Sequence, residues 1–159
     1  MAHWLPKDYH SVTLGLTVRD AAKAIEFYKQ AFGAKEISRM AGPGGKIGHA
    51  ELQIGDSRIM LGDEFPGGAR SPMSLGGTTF SLYVYLPDVD SAYKQAVAAG
   101  AKSDMAPVDM FWGDRYAKVT DPFGHFWGLA THTKDVTAEE MEKGAQAMWS
   151  QMKTQQQHG

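Results

Sequence analysis

The sequence predicts an α+β fold built from two copies of a strand–helix–strands module, followed by a C-terminal helix. Three observations carry this expectation. Two alternating apolar segments, "VTLGLTV" at 12–18 and "FSLYVYL" at 80–86, each precede an aspartate and a run of helically spaced apolar residues. Landmarks recur at a near-constant interval: Asp20 and Asp88 stand 68 positions apart, and Gly33 and Gly100 stand 67 apart. After His132 the character changes, and Thr137 with Glu140 forms a T-x-x-E capping box ahead of an apolar stripe.

Each element has its own reason. In 12–18, Val12, Leu14, Leu16 and Val18 share one face and Thr13, Gly15 and Thr17 the other, as in a half-buried strand. Asp20 is a natural N-cap for a helix carrying Ala21, Ile25, Tyr28 and Phe32, and Gly33 is its C-cap. "KEISRM" reads as a strand and "AGPGGKIG" as a loop. "HAELQI", Gly55-Asp56 and "SRIML" read as a hairpin. In the second copy, Asp88 or Asp90 caps a helix with Val89, Tyr93 and Val97, which Gly100 ends. "YAKVT", the turn "DPFGH" and "FWGLAT" form another hairpin. "FGAK" at 32–35 echoes "AGAK" at 99–102. "YKQA" also occurs twice, but 65 apart, and does not fit the repeat.

The expected organisation is a first module at 1–64, a linker at 65–79, a second module at 80–132, and a C-terminal helix and tail at 133–159. The linker, "FPGGARSPMSLGGTT", is rich in turn-forming residues. Neither it nor "GPGGKIG" is a phosphate loop, since no helix opens from a Gly-Lys-Ser/Thr pattern. The C-terminal stripe of Met141, Ala145, Met148, Trp149 and Met152 is expected to dock on the body or on a partner subunit. His158 lies in a polar, frayed end.

Composition narrows the partners. Hydrophobic residues make up 43%, enough for a core, and the formal net charge is −2 with no long basic block. Nucleic acid and anionic membrane are therefore not expected partners, while small neutral or amphiphilic molecules are. The absence of cysteine removes thiolate, zinc-thiolate and iron–sulfur chemistry. The N-terminal "MAHWLPKDYH" has no apolar signal core, and no stretch approaches spanning length, so a cytoplasmic location is expected.

Four segments, "TVRDAAKAIEFYKQAFGAKE", "IGHAELQIGDSRIMLGDE", "YLPDVDSAYKQAVAAGA" and "WGDRYAKVTDPFGHFWGLATH", resemble the vicinal oxygen chelate superfamily of glyoxalases, bleomycin-resistance proteins and extradiol dioxygenases. The pieces "GHAEL", "GDS", "GDR" and "DPFGH" resemble more narrowly its PhnB-like glyoxalase branch. The resemblance implies two βαβββ modules forming a curved, incomplete eight-stranded barrel, with helices outside and a cavity on the concave face. It also implies a homodimer.

In metal-dependent members the ligands are His, Gln or Glu on the first and last strands of each module. The resemblance places those positions at Thr13, Met60 (or, with a slip, Leu61), Ser81 and Gly128. Neutral hydroxyls, a thioether and a glycine are a poor first shell for a divalent ion, so no metal and no other cofactor is expected. No glycine-rich loop supports the methyltransferase label sometimes attached to the PhnB-like branch.

The remaining polar candidates follow from strand alternation. His49, Glu51 and Gln53 share a face opposite Ala50, Leu52 and Ile54, and a His and a carboxylate two apart can serve as acid and base. The bland alternative is a solvated sheet face. Ser81, Tyr83 and Tyr85 share a face in the second module. Trp112 can stack on a planar ligand, and Arg115 can hold a carboxylate or phosphate, against a purely loop-building role with Asp114. His125 is expected to serve structure and His132 to be solvated; His3 and His10 carry no argument. The functional expectation is a binder of a small planar or amphiphilic molecule without the usual metal. The alternatives are a lyase or isomerase using His49 and Glu51, and a divalent-metal lyase or dioxygenase.

Overall fold

The structure, a computed structural model, describes residues 3–156; His158 lies outside the described residues. Among the described residues, eight strands and three of the four α-helices fall into two similar units and the connection between them. The first contains β1 (Leu14–Val18), α1 (Ala21–Phe32), β2 (Lys35–Ala41), β3 (Ile47–Ile54) and β4 (Ser57–Asp63). A short helix α2 (Pro72–Leu75) sits in the connection. The second unit contains β5 (Ser81–Tyr85), α3 (Val89–Ala98), β6 (Lys102–Asp109), β7 (Asp114–Thr120) and β8 (Phe126–His132), and α4 (Ala138–Gln156) follows.

Each unit is a four-stranded mixed sheet, ordered β1-β4-β3-β2 in one and β5-β8-β7-β6 in the other. The first strand pairs in parallel with the last, and the other pairs are antiparallel. This is the duplicated βαβββ, α+β architecture that the element order predicts. The sheets are not closed.

The helices form where the sequence marks them. Asp20 accepts the Lys23 amide at 3.1 Å, and Gly33 ends α1 in the left-handed region that its missing Cβ permits. Asp88, not Asp90, caps α3 through the Ser91 amide at 3.1 Å. At α4 the capping box closes both ways: Glu140 Oε2 accepts the Thr137 amide at 2.8 Å, and Thr137 Oγ1 accepts the Glu140 amide at 3.2 Å. The first strand is shorter than its pattern: Val12 lies outside it and is 87% exposed. The edge strand β6 carries Pro107 and two register shifts, which an edge tolerates because one side of its ladder is unpaired.

One core serves both units. Leu16, Val18, Ala50, Leu52 and Leu61 of the first sheet and Ala117, Val119, Trp127 and Leu129 of the second are buried with α1 and α3. Its centre is aromatic: Phe32 lies 4.3 Å from Trp127 between ring centroids, and Tyr28 lies 5.3 Å from it. The buried carboxylate of Asp121 ties these together. Its Oδ2 accepts the Tyr28 hydroxyl at 2.7 Å and the Trp127 indole at 2.9 Å, and its Oδ1 accepts the amides of Phe123 and His125, each at 2.9 Å. Burial and the adjacent Asp121 push the Tyr28 hydroxyl well above its usual range, so it remains a donor.

The α4 stripe is mostly not core. Met141, Trp149 and Met152 are 38%, 58% and 46% exposed. Ala145 and Met148 are half-buried, and Gly144 approaches the body closely, where a Cβ would stand 2.5 Å from Phe111.

The connection at 65–79 is held rather than loose. Glu64 accepts the Ser71 amide and, at 2.8 Å, the Ser74 hydroxyl, while Ser71 is fully buried and caps α2. These bonds, that from Ser74 first, hold the Glu64 carboxyl at about 2, well below its ordinary 4.5. A depressed folded value means that the contribution is full above the unfolded value and is lost as pH falls through the folded one. The expected outcome is that the Ser71 amide resonance moves toward its random-coil position between about pH 4.5 and about pH 2. In Glu64→Gln that pH dependence should disappear.

Candidate functional site

In each sheet one face packs on the helices and the other is left free, because side chains alternate along a strand. In the first unit the free face carries Gly15 and Thr17 on β1, His49, Glu51 and Gln53 on β3, and Arg58 and Met60 on β4. Register fixes the neighbours: Gly15 lies beside Met60, Met60 beside Glu51, and Gln53 beside Arg58. In the second unit the free face carries Ser81, Tyr83, Tyr85, Asp114, Tyr116, Gly128 and His132, with Tyr83 beside Gly128 and Asp114 beside His132.

The second face is organised around Asp114, only 3% exposed. Its Oδ2 accepts the hydroxyls of Tyr83 at 3.0 Å and Tyr85 at 3.1 Å and the Trp112 indole at 3.1 Å. Its Oδ1 lies 2.8 Å from His132 Nδ1, and His132 Nε2 lies 3.0 Å from Asp135. Burial alone would raise the Asp114 carboxyl, but the bonds from His132, Tyr83 and Tyr85 outweigh it and hold it below its ordinary value. Asp114, then Asp135, draws the His132 imidazole upward. Burial, with Asp114 adding to it, keeps Tyr83 protonated far above its usual range. Both tyrosines therefore donate inward and leave their oxygen lone pairs as acceptors toward the open side.

An aromatic platform results. Tyr83 stacks on Tyr116 with centroids 5.1 Å apart and planes 8° apart. Tyr85 lies 5.3 Å from Tyr83, and Trp112 meets Tyr116 edge-on at 5.9 Å. Gly128 makes this possible: a Cβ there would stand 2.7 Å from Tyr116 Cε2 and Oη. The strand glycine at the expected ligand position is thus the floor under a tyrosine ring.

On the first face, His49 Nε2 lies 3.4 Å from Glu51 Oε1, with side chains 37% and 25% exposed. The Tyr9 hydroxyl, close by without completing a hydrogen bond, then His49, hold Glu51 below its ordinary value. Gln53 turns away to the Gly55 carbonyl at 3.0 Å. The structure brings Ser81, Tyr83 and Tyr85 onto one cleft of about 510 Å³ between the units, with Arg58 on its opposite side. His49 lines a separate depression with Gly15 and Met60.

Arg115 is not part of either face. Its guanidinium grips Asp90 at 2.6 and 2.9 Å and Asp109 at 3.1 Å, so the start of α3, not a ligand, takes its donors. His125 is buried, and its Nε2 lies 3.1 Å from the Thr17 carbonyl, which can only accept; the proton therefore sits on Nε2 and the ring bridges the two units. His132, expected to be solvated, is 51% exposed and is in addition bonded at both ring nitrogens. Tyr116 was legible from the alternation Asp114, Tyr116, Lys118. The His132–Asp114 pairing was not, since it depends on strand register.

Thr13 stands one residue before β1, on the same parity as Gly15 and Thr17. With Ser81, Met60 and a ring-covered Gly128, the four positions offer a divalent ion no charged donor. Among the described residues no group of three or more His, Cys, Asp or Glu side chains is arranged to hold a metal ion.

Two βαβββ units with one free strand face each define the vicinal oxygen chelate architecture. The sequence profile of the Glyoxalase/Bleomycin resistance protein/Dioxygenase superfamily matches residues 10–129, and the chain belongs to that superfamily. An uncharacterised protein of Mycobacterium bovis is 44% identical over 131 residues, covering 80% of this chain and 86% of that one. Protein YjdN of Escherichia coli is 32% identical over 121 residues, covering 75% and 80%. TioX from Micromonospora sp. ML1 superposes with a TM-score of 0.62 at 28% identity, covering 77% of this chain and 98% of that one. A PhnB protein from Bacillus cereus, described as a putative 3-demethylubiquinone-9 3-methyltransferase, shares the fold with a TM-score of 0.59 at 18% identity, covering 77% and 99%.

The platform depends on one missing methyl group. Gly128→Ala should push Tyr116 off Tyr83 and cost about 1–3 kcal/mol of stability through overpacking. Near-ultraviolet circular dichroism would show a reduced tyrosine signal while the far-ultraviolet spectrum stays that of wild type.

Proposed function

We propose that this chain binds a small planar or amphiphilic molecule against the aromatic face of its second unit, without a metal. The observation that carries this reading is the gathering of Tyr83, Tyr85, Trp112 and Tyr116 around one buried carboxylate. A flat ligand stacks on the exposed rings, of which Tyr83 is 44% and Tyr85 62% accessible, and its N–H or O–H groups meet the tyrosine oxygens. Ser81 lies at the edge of the same cleft. Asp114 does not touch the ligand; with four donors already placed, it fixes the rings.

The chain works as a homodimer in this reading. The exposed Trp149 and Met152 on α4 are the surface that a second copy would cover. Light scattering should return twice the monomer mass at micromolar concentration.

The second reading is a lyase or isomerase in which His49 and Glu51 exchange a proton with substrate. It is favoured by their 3.4 Å separation, while the lowered Glu51 carboxyl is a weaker base than an ordinary one and counts against it. A divalent-metal lyase or dioxygenase is disfavoured by the uncharged donors at Thr13, Met60 and Ser81.

The test uses N-phenyl-1-naphthylamine, a neutral planar amphiphile whose fluorescence rises in apolar surroundings. Tyr83→Ala and Tyr85→Ala should each weaken its binding by about 5- to 30-fold, the effect of losing roughly 1–2 kcal/mol of ring contact. His49→Gln and Glu51→Gln should leave binding unchanged. Elemental analysis of protein purified without added metal should find no stoichiometric nickel, zinc or iron. Stoichiometric metal that disappears in the Thr13→Ala/Ser81→Ala double variant would return the chain to the metal-dependent enzymes.

A further inference from the structure

Arg58 is the group that the fold leaves unexplained. It sits on the free face of the first unit, its side chain only 10% exposed, and it lines the inter-unit cleft opposite Ser81, Tyr83 and Tyr85. Its Nε and Nη1 are both buried and have no hydrogen-bond partner. Its remaining nitrogen, Nη2, reaches Asp8 Oδ2 at 3.5 Å, the outer limit of a hydrogen bond. The Tyr9 ring lies over the guanidinium at 5.9 Å, and the Tyr9 hydroxyl is also buried without a partner. A buried guanidinium with two idle donors is costly, and proteins normally satisfy it with a carboxylate or phosphate in a two-pronged bond.

The segment that covers Arg58 is weakly held. Asp8 is 54% exposed and adopts φ 65, the left-handed region, which among the described non-glycine residues it alone occupies. Its neighbour Tyr9 is tied by a 3.3 Å amide bond to the Pro6 carbonyl, with its hydroxyl near Glu51. An aromatic ring and a carboxylate on consecutive residues thus occupy the guanidinium without saturating it. The equivalent position in the second unit, one repeat on at 68 residues, is Phe126, so the cationic end belongs to the first unit alone.

We infer that Arg58 is an anion-binding site for the carboxylate of a planar ligand, and that Asp8–Tyr9 fills this site from within the chain until such a ligand displaces it. The inference rests on the planar-ligand reading and adds polarity to it: ring against Tyr83 and Tyr85, carboxylate on Arg58. The ligand oxygens take the Nε and Nη bonds that Asp8 leaves open, and Tyr9 swings away from the guanidinium it covers. Asp8 is a competitor, so removing its charge should strengthen binding.

The experiment compares 2-naphthoate with 2-naphthamide, equal in shape and different in charge, and adds acetate as a carboxylate without a ring. Binding is read by calorimetry and by the Arg58 Nε–H resonance of the full chain. Naphthoate should bind about tenfold more tightly than naphthamide, the worth of one charge-assisted bond. Asp8→Asn should tighten naphthoate about threefold or more and leave naphthamide unchanged. Arg58→Gln should make the two probes equal, and Arg58→Lys should restore part of the preference without the fork. Equal affinities on wild type, or no response of naphthoate to the exposed Asp8→Asn change, would overturn the inference. If neither naphthalene binds yet acetate moves the Arg58 resonance, the anion site stands and the planar-ligand reading fails. Silence from all three probes overturns both.

Discussion

The two halves of this chain meet on one carboxylate. Asp121 lies in the turn between β7 and β8, and it receives a hydroxyl from α1, an indole from β8 and two amides of its own turn. None of these donors has water to fall back on, and a buried donor left without a partner costs about 1–3 kcal/mol. The aromatic contacts of Tyr28 and Phe32 with Trp127 exist only when α1 of one unit lies on the sheet of the other. His125, bridging to Thr17, is carried by the same turn. The relation between the two free sheet faces, and hence the cleft between them, follows from that junction.

Duplication gave the two faces the same geometry and different chemistry. The repeat sets Gly15 and Thr17 against Tyr83 and Tyr85, and Met60 against Gly128. On one side small residues leave the sheet open beneath His49, Glu51 and Arg58. On the other, a glycine admits the Tyr116 ring, and a buried aspartate holds the platform together. Helix N-termini show the same divergence: the Ala21 amide is taken by Asp63, and the Val89 amide by Thr131, each near the end of the last strand of its unit. The scaffold needs an acceptor there and tolerates either chemistry.

Elements with local signals were legible in the sequence. Asp20, Gly33, Asp88 and the Thr137–Glu140 box mark helix ends through bonds made within four residues, so the pattern alone places them. Alternation placed Tyr83 with Tyr85 and His49 with Glu51. What needed the fold was every contact set by register or by packing of one unit on the other. Arg115 reads as a free cation until α3 brings Asp90 to it. His132 is solvated as its sequence position suggests, but its tie to Asp114 appears only when β7 lies beside β8. Gly128 reads as an empty ligand position until Tyr116 crosses it, and Arg58 carries no signal until Tyr9 folds over it.

The junction at Asp121 is tested most directly by urea unfolding of Asp121→Ala, followed in parallel by tryptophan fluorescence and far-ultraviolet circular dichroism. Removing the carboxylate strands the Tyr28 hydroxyl and the Trp127 indole and should cost about 3–5 kcal/mol. Wild type should unfold in one transition, coincident by both probes. The variant should unfold at lower urea, with transitions that separate as the two units lose their common acceptor. A variant that keeps the wild-type midpoint and a single coincident transition would contradict the account.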